Sequence, residues 1–334
     1  MSCFYPLLFQ PRFKERVWGG RNLERLYRKA LPPHVPIGES WEISDRPGEA
    51  SVIANGPLAG RDLRWLMEHH AAEILGAASP APQGRFPLLV KILDAQDVLS
   101  LQVHPPPSQA AALGGEPKTE MWYFTECQPG ACIYAGLKKG VSREDFARHL
   151  AAGTAAECVH RLPVQAGDAM FLPSGRLHAL GAGCVLFEIQ QNSDTTYRVF
   201  DWNRPGLDGR PRELHVKESL ACIDFADVEP SLIASRYSRS ASVAVRYLVD
   251  DPVFMVNACR VRRGQRFYLR FGAAQVLGVI QGRLRAGGGQ TAVELQAGDF
   301  CLLPAALERV PLEALTRVEY LLAEPKALTA PPAP

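Results

Sequence analysis

The sequence predicts a mainly β protein with a few helices, arranged as two β-barrel units. Most of its apolar residues lie in short runs bounded by Gly or Pro, which is typical of strands. Only two stretches have the spacing of an amphipathic helix. Gly and Pro number 28 and 27 among 334 residues, above the average share, and they supply the turns that many short strands need.

Five runs are predicted as strands because each is short, apolar or aromatic, and flanked by turn residues. They are Phe86–Leu93, Glu120–Thr125, Ala131–Ala135, Asp168–Leu172 and Cys184–Gln190. The two predicted helices are Asp62–Leu75 and Ser142–Ala151, and the second opens with Ser-x-x-Asp, a helix-capping pattern.

A repeated motif predicts the domain organisation. Residues 164–173 read VQAGDAMFLP and residues 295–304 read LQAGDFCLLP, so six of ten positions are identical. Each copy has a turn at Ala-Gly-Asp, then a short apolar strand that ends at Pro. We therefore predict a catalytic unit over 1–230, with N-terminal strands and helical decoration, and a second barrel over 231–334. The second unit is expected to lack metal ligands, because Arg309 stands where the first copy has His178.

Composition excludes several classes of partner. The formal net charge is only +2, with 22% charged and 47% hydrophobic residues, so no strong electrostatic footprint for nucleic acid or a membrane is expected. The eight Cys are scattered without a CxxC pair, which favours reduced thiols in a cytosolic protein. We expect a cytoplasmic monomer or small homo-oligomer that binds neither nucleic acid nor a membrane.

Three separated segments carry residue types that bind metals. Gln102 and His104 are two apart after a strand-like LSL, so both side chains can face the same side of a strand. Glu120 opens the aromatic run EMWYF, and His178 follows the first copy of the repeat. Two imidazoles, a carboxylate and an amide oxygen suit a divalent ion such as zinc. Taken alone, the Gln-x-His pair is more typical of a hydrogen-bonded core or surface pair than of a metal site.

Several longer motifs resemble one family. The spacing from Gly167 to His178 resembles the second cupin motif, and the chain looks like a zinc-dependent mannose-6-phosphate isomerase (phosphomannose isomerase type I) of the short bacterial form. The resemblance covers most of 17–204 and thins beyond about 220. It rests on VWGGRNL (17–23), GESWEIS (38–44), FPLLVKILDA (86–95), LSLQVHP (99–105), PKTEMWY (117–123), GDAMFLPSGRLHALG (167–181) and FEIQQNSDTTYRVFDWNR (187–204).

The resemblance implies two cupin-type jelly-roll β-barrels and an aldose–ketose isomerase. Its substrate would be D-mannose 6-phosphate, converted to D-fructose 6-phosphate through a zinc-stabilised cis-enediol. The implied residues are one Zn²⁺ per chain on Gln102, His104, Glu120 and His178, the catalytic groups Arg198, Lys118, Asp194 and Glu188, and the phosphate-side residues Lys91 and Ser100. Leu180 replaces an aromatic residue of longer relatives, so the role of that aromatic does not transfer.

Some alternatives stay open at this point. Arg198 could instead form an i−4 salt bridge with Asp194, and Lys91 could be a snorkelling or ion-paired lysine. The proton carrier could be Asp194, Glu188, Lys118 or a zinc-bound water, with an acidic residue or the water favoured and Lys118 assisting. Another cupin metalloenzyme, such as an oxygenase or a different sugar isomerase, or a non-catalytic sugar-binding cupin, is the alternative function.

Overall fold

Antiparallel strands form most of the molecule, which confirms the predicted mainly β class. The computed structural model describes residues 4–238 and 242–328. Its first eleven strands are β1 Arg12–Gly20, β2 Ile37–Ile43, β3 Leu88–Ala95, β4 Leu101–Val103, β5 Glu120–Cys127, β6 Cys132–Leu137, β7 Val159–Pro163, β8 Ala169–Leu172, β9 His178–Leu180, β10 Cys184–Gln191 and β11 Tyr197–Phe200. All five predicted strands are present, with ends that move by one or two residues.

The remaining strands and the helices follow the same chain order. The strands are β12 Val243–Asp250, β13 Phe254–Val261, β14 Arg266–Arg270, β15 Gln275–Gln281, β16 Arg283–Ala286, β17 Val293–Gln296, β18 Phe300–Leu303, β19 Arg309–Ala314 and β20 Val318–Pro325. The helices are α1 Asn22–Tyr27, α2 Leu63–His69, α3 Ala71–Leu75, α4 Pro107–Ala110, α5 Arg143–Ala151 and α6 Val216–Cys222. No helix in the described ranges is long and apolar enough to cross a membrane.

Strands β1–β11 form a first unit of two sheets, and β12–β20 form a second. The first unit has a six-stranded sheet, β1-β2-β3-β10-β5-β8, and a five-stranded sheet, β11-β4-β9-β6-β7. The second unit has a five-stranded sheet, β12-β13-β20-β15-β18, and a four-stranded sheet, β14-β19-β16-β17. In each unit the two sheets enclose an apolar core, the layered arrangement expected of a cupin-type fold.

Strands β3 and β10 of the six-stranded sheet are buried on both faces, so they read as nearly continuous apolar runs. Along β10, Val185, Phe187 and Ile189 face a core shared with the second unit. Leu186 faces the core inside the first unit, and alternation places Glu188 on that inner side. Period-two alternation therefore directs Lys91, Glu120 and Glu188 toward the interior of the first unit.

The repeat forms the same turn twice. Gly167 and Gly298 both have positive φ, +92° and +85°. The Asp168 carboxylate accepts from the backbone N–H of Gln165 at 2.9 Å, and Asp299 accepts from Gln296 at the same distance. The strands that follow, β8 and β18, are each the edge of their sheet. His178 and Arg309 then each begin the next strand, β9 and β19.

The helix predictions had different outcomes. Ser142 caps α5 with a complete capping box to Asp145, as its sequence pattern predicts. The single helix predicted over Asp62–Leu75 is wrong, because the chain leaves helical geometry at His70 (φ −141°, ψ 28°) and divides into α2 and α3. Apolar periodicity continues across this break, so it could not reveal the change in direction.

The domain division at 230/231 stays a prediction. Near that point the Ile233 N–H still donates to Ala169 of β8, at 2.9 Å. At the other end of the chain, Leu7 forms a bridge with Leu302 of β18. The two units also share one apolar core, in which Phe187 packs on Phe300 with ring centroids 4.8 Å apart.

Candidate active site

Two rows of paired residues face the interior of the first unit. In the six-stranded sheet, Glu188 lies opposite Lys91 on one side and Trp122 on the other. In the five-stranded sheet, Gln102 lies opposite Arg198 on β11 and His178 on β9. Strand register thus brings residues that are far apart in sequence onto adjacent positions.

His104, Glu120 and His178, hereafter the His–Glu–His cluster, come together between the two sheets. Their potential ligand atoms all lie within 4.8 Å of one another. His178 Nε2 is 3.1 Å from Glu120 Oε1, and His104 Nε2 is 3.5 Å from Glu120 Oε2. All three side chains are buried. In the described part of the chain, no other three His, Cys, Asp or Glu residues form such a cluster.

Hydrogen bonds orient both imidazoles. His104 Nδ1 is 2.9 Å from the Thr195 carbonyl and His178 Nδ1 is 2.9 Å from the Arg176 carbonyl. A carbonyl can only accept, so each Nδ1 must carry its proton and each Nε2 presents a lone pair to the cluster. Burial and the charge of Lys118 also hold the pKa of His104 well below its usual value, which keeps the ring neutral.

Glu120 supplies the negative charge of the cluster. Its two oxygens are buried and form no hydrogen bond that satisfies ordinary geometry. Burial opposes ionisation, but the charge of Lys118 holds the pKa of Glu120 well below its usual range. A buried carboxylate beside two Nε2 lone pairs is a donor set that fits a divalent cation such as zinc.

Gln102 and Lys118 complete the surroundings of the cluster. The Gln102 amide is 3.2 Å from His178 Nε2, and rotation of that amide by half a turn would present its oxygen at the same place. Lys118 Nζ is 2.9 Å from Glu120 Oε2 and 3.3 Å from His104 Nε2. The structure thus brings Gln102, His104, Glu120 and His178 to one centre, with Lys118 in contact with it.

A cavity of about 640 Å³ adjoins the His–Glu–His cluster, because Gln102 and Lys118 line the cavity and also contact the cluster. Every remaining site residue predicted from the sequence lines it: Lys91, Ser100, Gln102, Lys118, Glu188, Asp194 and Arg198. Its walls also include apolar side chains, Val17, Trp18, Leu93, Leu99, Trp122 and Leu207. The cavity is therefore large enough for a small polar molecule and offers both cations and carboxylates to it.

Lys91 lies in an ion-pair network on one wall of the cavity. Its ammonium is 3.0 Å from Glu188 and 3.9 Å from Glu39, and Trp122 donates to the other Glu188 oxygen at 2.9 Å. Burial disfavours the charge, but these carboxylates raise the pKa of Lys91 above its ordinary value. Burial also acts against the charge of Glu39, yet Lys91 and Arg16 lower its pKa to about 2. Lys91 is therefore ion-paired in this structure, and its phosphate role stays a prediction.

Arg198 lies on the opposite wall without a carboxylate partner among the described residues. Its Nη1 donates to the Glu213 carbonyl at 2.8 Å, and its Nε is buried without a partner. Burial lowers the pKa of Arg198, and the charge of Arg212 lowers it further. The alternative salt bridge with Asp194 does not form in the described part of the chain, so this guanidinium is available to an anionic group in the cavity.

Sequence reasoning missed the residues that hold this site in shape. Glu39, Trp122 and His215 were not singled out, although Glu39 and Trp122 contact site residues directly and His215 contacts the Arg198 backbone. Trp122 could have been found from alternation, because it shares a face of β5 with Glu120, whereas the strand of Glu39 carries no predicted site residue. No local pattern indicates His215, because it contacts the Arg198 backbone only after the intervening chain folds back on β11.

Comparisons with known proteins identify close relatives. A family model described as "Phosphomannose isomerase type I, catalytic domain" matches residues 7–131. A mannose-6-phosphate isomerase of Streptococcus mutans is 34% identical over 304 residues, 91% of this chain and 93% of that protein. The crystal structure of a Bacillus subtilis mannose 6-phosphate isomerase superimposes with a TM-score of 0.86 at 30% identity, over 96% and 100% of the two chains. A zinc-bound mannose 6-phosphate isomerase shares the fold, with a TM-score of 0.76 at 18% identity.

Proposed function

The chain belongs to the type I mannose-6-phosphate isomerase family, and from this premise we propose how its cavity interconverts D-mannose 6-phosphate and D-fructose 6-phosphate. The observation that carries the proposal is the buried His–Glu–His cluster beside a cavity that Lys91, Lys118 and Arg198 line. An aldose–ketose isomerase must move a proton between C1 and C2 and stabilise the enediol formed between them. The cavity provides groups for both tasks.

One zinc ion per chain would be held by His104, Glu120 and His178, with Gln102 as a further ligand. The fixed Nδ1–H groups, and the buried Glu120 oxygens that lack a hydrogen-bond partner, support this assignment. When bound, zinc supplies Lewis-acid stabilisation for the sugar oxygens without any redox change. The second unit takes no part in metal binding, since Arg309 occupies the position that corresponds to His178 and stacks over Tyr268.

Arg198 stabilises the negative charge that develops on the enediol oxygens. It lies opposite Gln102 across two paired strands, so its guanidinium enters the cavity beside the cluster. Its buried, unpartnered Nε is a donor that the protein itself leaves free. Donors fixed before the reaction stabilise developing charge better than water, which must reorient.

A carboxylate carries the proton between C1 and C2, with Lys118 assisting. Two of the predicted candidates face the cavity, Asp194 and Glu188. Glu188 is engaged with Lys91 and Trp122, whereas Asp194 is exposed to the cavity and solvent. If Asp194→Asn and Lys118→Met both leave exchange of the C2 proton with solvent intact, this assignment is wrong.

Lys91 and Ser100 bind the phosphate side of the sugar. Both line the cavity and both are buried, so a phosphate there would meet groups already removed from water. The ion pair of Lys91 with Glu188 limits the charge that it can offer, so its contribution is orientation more than attraction.

The proposal also covers the location, the partners and the domain division of the protein. The seven cysteines of the described residues are free thiols, which supports a cytoplasmic protein. We expect no nucleic-acid or membrane partner, and a monomer or small homo-oligomer. The division into a catalytic unit over 1–230 and a second unit over 231–334 is part of the same proposal. An oxygenase or a non-catalytic sugar-binding cupin is not favoured, because the relatives found over most of the chain are isomerases.

A coupled assay for fructose 6-phosphate formation tests the proposal directly. The purified protein is supplied with D-mannose 6-phosphate, with and without a chelator, beside the Arg198→Lys variant. Turnover that is lost with chelator and returns with zinc is expected, as is a strong loss in the variant. Absence of turnover after zinc reconstitution would contradict the function, and full activity of Arg198→Lys would contradict the role of Arg198.

A further inference from the structure

The backbone of Arg198 lies at an exposed edge of its sheet. Strand β11 pairs with β4 on one side only, so the edge residues need other partners for their N–H and C=O groups. His215 supplies both. The Arg198 N–H donates to His215 Nδ1 at 3.2 Å, and the His215 N–H donates to the Arg198 carbonyl at 2.8 Å. The peptide groups on both sides of the Arg198 Cα are thus held by one residue.

The same segment also holds the Arg198 side chain. Nη1 of the guanidinium donates to the carbonyl of Glu213, two residues before His215, at 2.8 Å. Residues 213–215 therefore fix the backbone of Arg198 and one end of its guanidinium. Nε is left unpaired and buried at the cavity.

The His215 ring is itself well placed to act as an anchor. It immediately precedes α6, whose residues Ser219 and Cys222 are buried. Its ring packs on Tyr197, the residue before Arg198, with centroids 5.9 Å apart. Because Nδ1 accepts a hydrogen bond from a backbone N–H, it must carry a lone pair, so the ring acts here in its neutral form.

We propose that His215 is a positioning residue for Arg198: its Nδ1 and backbone N–H fix the edge strand so that the guanidinium meets the reacting oxygens. This inference rests on the proposed function of Arg198. Catalysis is sensitive to such placement, since a misplacement of about 1 Å can cost roughly 100-fold in rate. Loss of the His215 contacts should lower kcat more than it raises KM, because Arg198 stabilises negative charge that develops in the transition state.

Two variants of His215 distinguish the role of Nδ1 as a hydrogen-bond acceptor from the packing of the ring on Tyr197. His215→Phe keeps an aromatic ring on Tyr197 but has no acceptor, and His215→Asn keeps an acceptor near the position of Nδ1. We expect His215→Phe to lower kcat about tenfold with little change in KM, and His215→Asn to recover most of that loss. His149→Phe is the matched control, because His149 Nδ1 contacts only nearby side chains, Thr154 and Glu157, among the described residues. Zinc content should be equal in all of them.

A double-mutant cycle with Arg198→Lys decides whether His215 acts through Arg198. We expect His215→Phe to cost about tenfold in the natural chain but less than about twofold beside Arg198→Lys. An equal loss in both backgrounds, or equal losses in His215→Phe and His215→Asn, would overturn the inference. So would a His215→Phe enzyme with unchanged kcat.

If Arg198→Lys alone keeps full activity, the proposed role of Arg198 fails, which is a different result. If His215→Phe does not fold, the comparison of His215→Asn with the natural chain decides, and a tenfold loss of kcat there contradicts the inference.

Discussion

Glu120 shows that burial makes the charge of a single residue depend on its protein partners. In water a glutamate oxygen is satisfied by solvent, but both oxygens of Glu120 are buried and depend on the cations and imidazoles around them. Removing such a charge from water costs several kcal/mol unless partners compensate. The same reasoning applies to Lys91 and Glu39 on the cavity wall, and it leads to two predictions.

Replacing Lys91 with Met should affect binding of the phosphorylated sugar more than turnover. The change removes the ammonium that faces Glu188 and Glu39 in the cavity, so we expect the KM for mannose 6-phosphate to rise about tenfold or more, with a smaller change in kcat. The measurement is steady-state kinetics with mannose 6-phosphate and with unphosphorylated mannose. Lys91→Arg is the conservative control. An equal loss with both sugars would reject the phosphate role.

Glu39 should contribute stability that depends on pH. Its pKa in the folded protein is about 2, below its ordinary value of 4.5, because Lys91 and Arg16 outweigh the cost of burial. A lowered folded pKa stabilises the protein above pH 4.5, by roughly 3 kcal/mol at most, and this is lost as pH falls toward 2. Glu39→Gln should therefore flatten the stability profile between these values. Denaturant unfolding at several pH values measures it, with exposed Glu144→Gln as the control; an unchanged profile in Glu39→Gln would contradict the ion-pair network.

The sequence could indicate the ligand residues because their types and spacing are unusual in combination. Gln102 and His104 share a strand face by alternation alone, and His178 follows a recognisable turn. The partners of these residues could not be predicted in the same way. His215 meets Arg198 only after the chain has passed through about fifteen residues of irregular structure, whose path depends on tertiary contacts.

At the scale of elements, the turn of the repeat is the feature that sequence predicts best. Its chemistry is local: a Gly in the left-handed region and an Asp that accepts from the N–H three residues before it. Strands flanked by such turns are found where they are expected. The break between α2 and α3 could not be foreseen, because apolar periodicity persists through His70 and only packing decides the change in direction.

The two repeat glycines provide a matched pair of substitutions. At Gly167 (φ +92°) an added Cβ would meet nothing within 4 Å, so Gly167→Ala should cost only the backbone strain, about 1–2 kcal/mol. At Gly298 an added Cβ would overlap the Tyr27 ring, so Gly298→Ala should cost clearly more. Thermal or urea unfolding of both variants measures the difference. Equal costs would mean that Tyr27 moves aside and that the contact between the units is loose.

At the scale of the molecule, the two units are joined by a common core. Phe300 of β18 packs on Phe187 of β10, the strand that also carries Glu188 into the cavity. The N-terminal segment adds a further connection through Leu7 and Leu302. The second unit, in whose described residues no three metal-binding side chains cluster, therefore still supports the strand on which part of the site is built.

Phe300→Ala should destabilise the whole chain rather than the second unit alone. Truncating a buried Phe costs about 3–5 kcal/mol, and the shared core transmits the loss to the first unit. We expect one unfolding transition by fluorescence and circular dichroism, shifted to lower temperature together with thermal loss of activity. Tyr247→Ala, at a residue that is 69% exposed, is the control and should change stability little. Two separate transitions in the variant would show that the units unfold independently.

The central claim is that this isomerase works at one metal ion held by the His–Glu–His cluster. The direct measurement is titration of zinc into chelator-treated enzyme, with bound zinc and mannose 6-phosphate turnover followed together, beside Glu120→Gln. The account predicts that activity rises in proportion to bound zinc and saturates at about one equivalent per chain, and that Glu120→Gln neither retains zinc nor turns over. Full turnover by metal-free enzyme, or tight zinc binding and activity in Glu120→Gln, would contradict it.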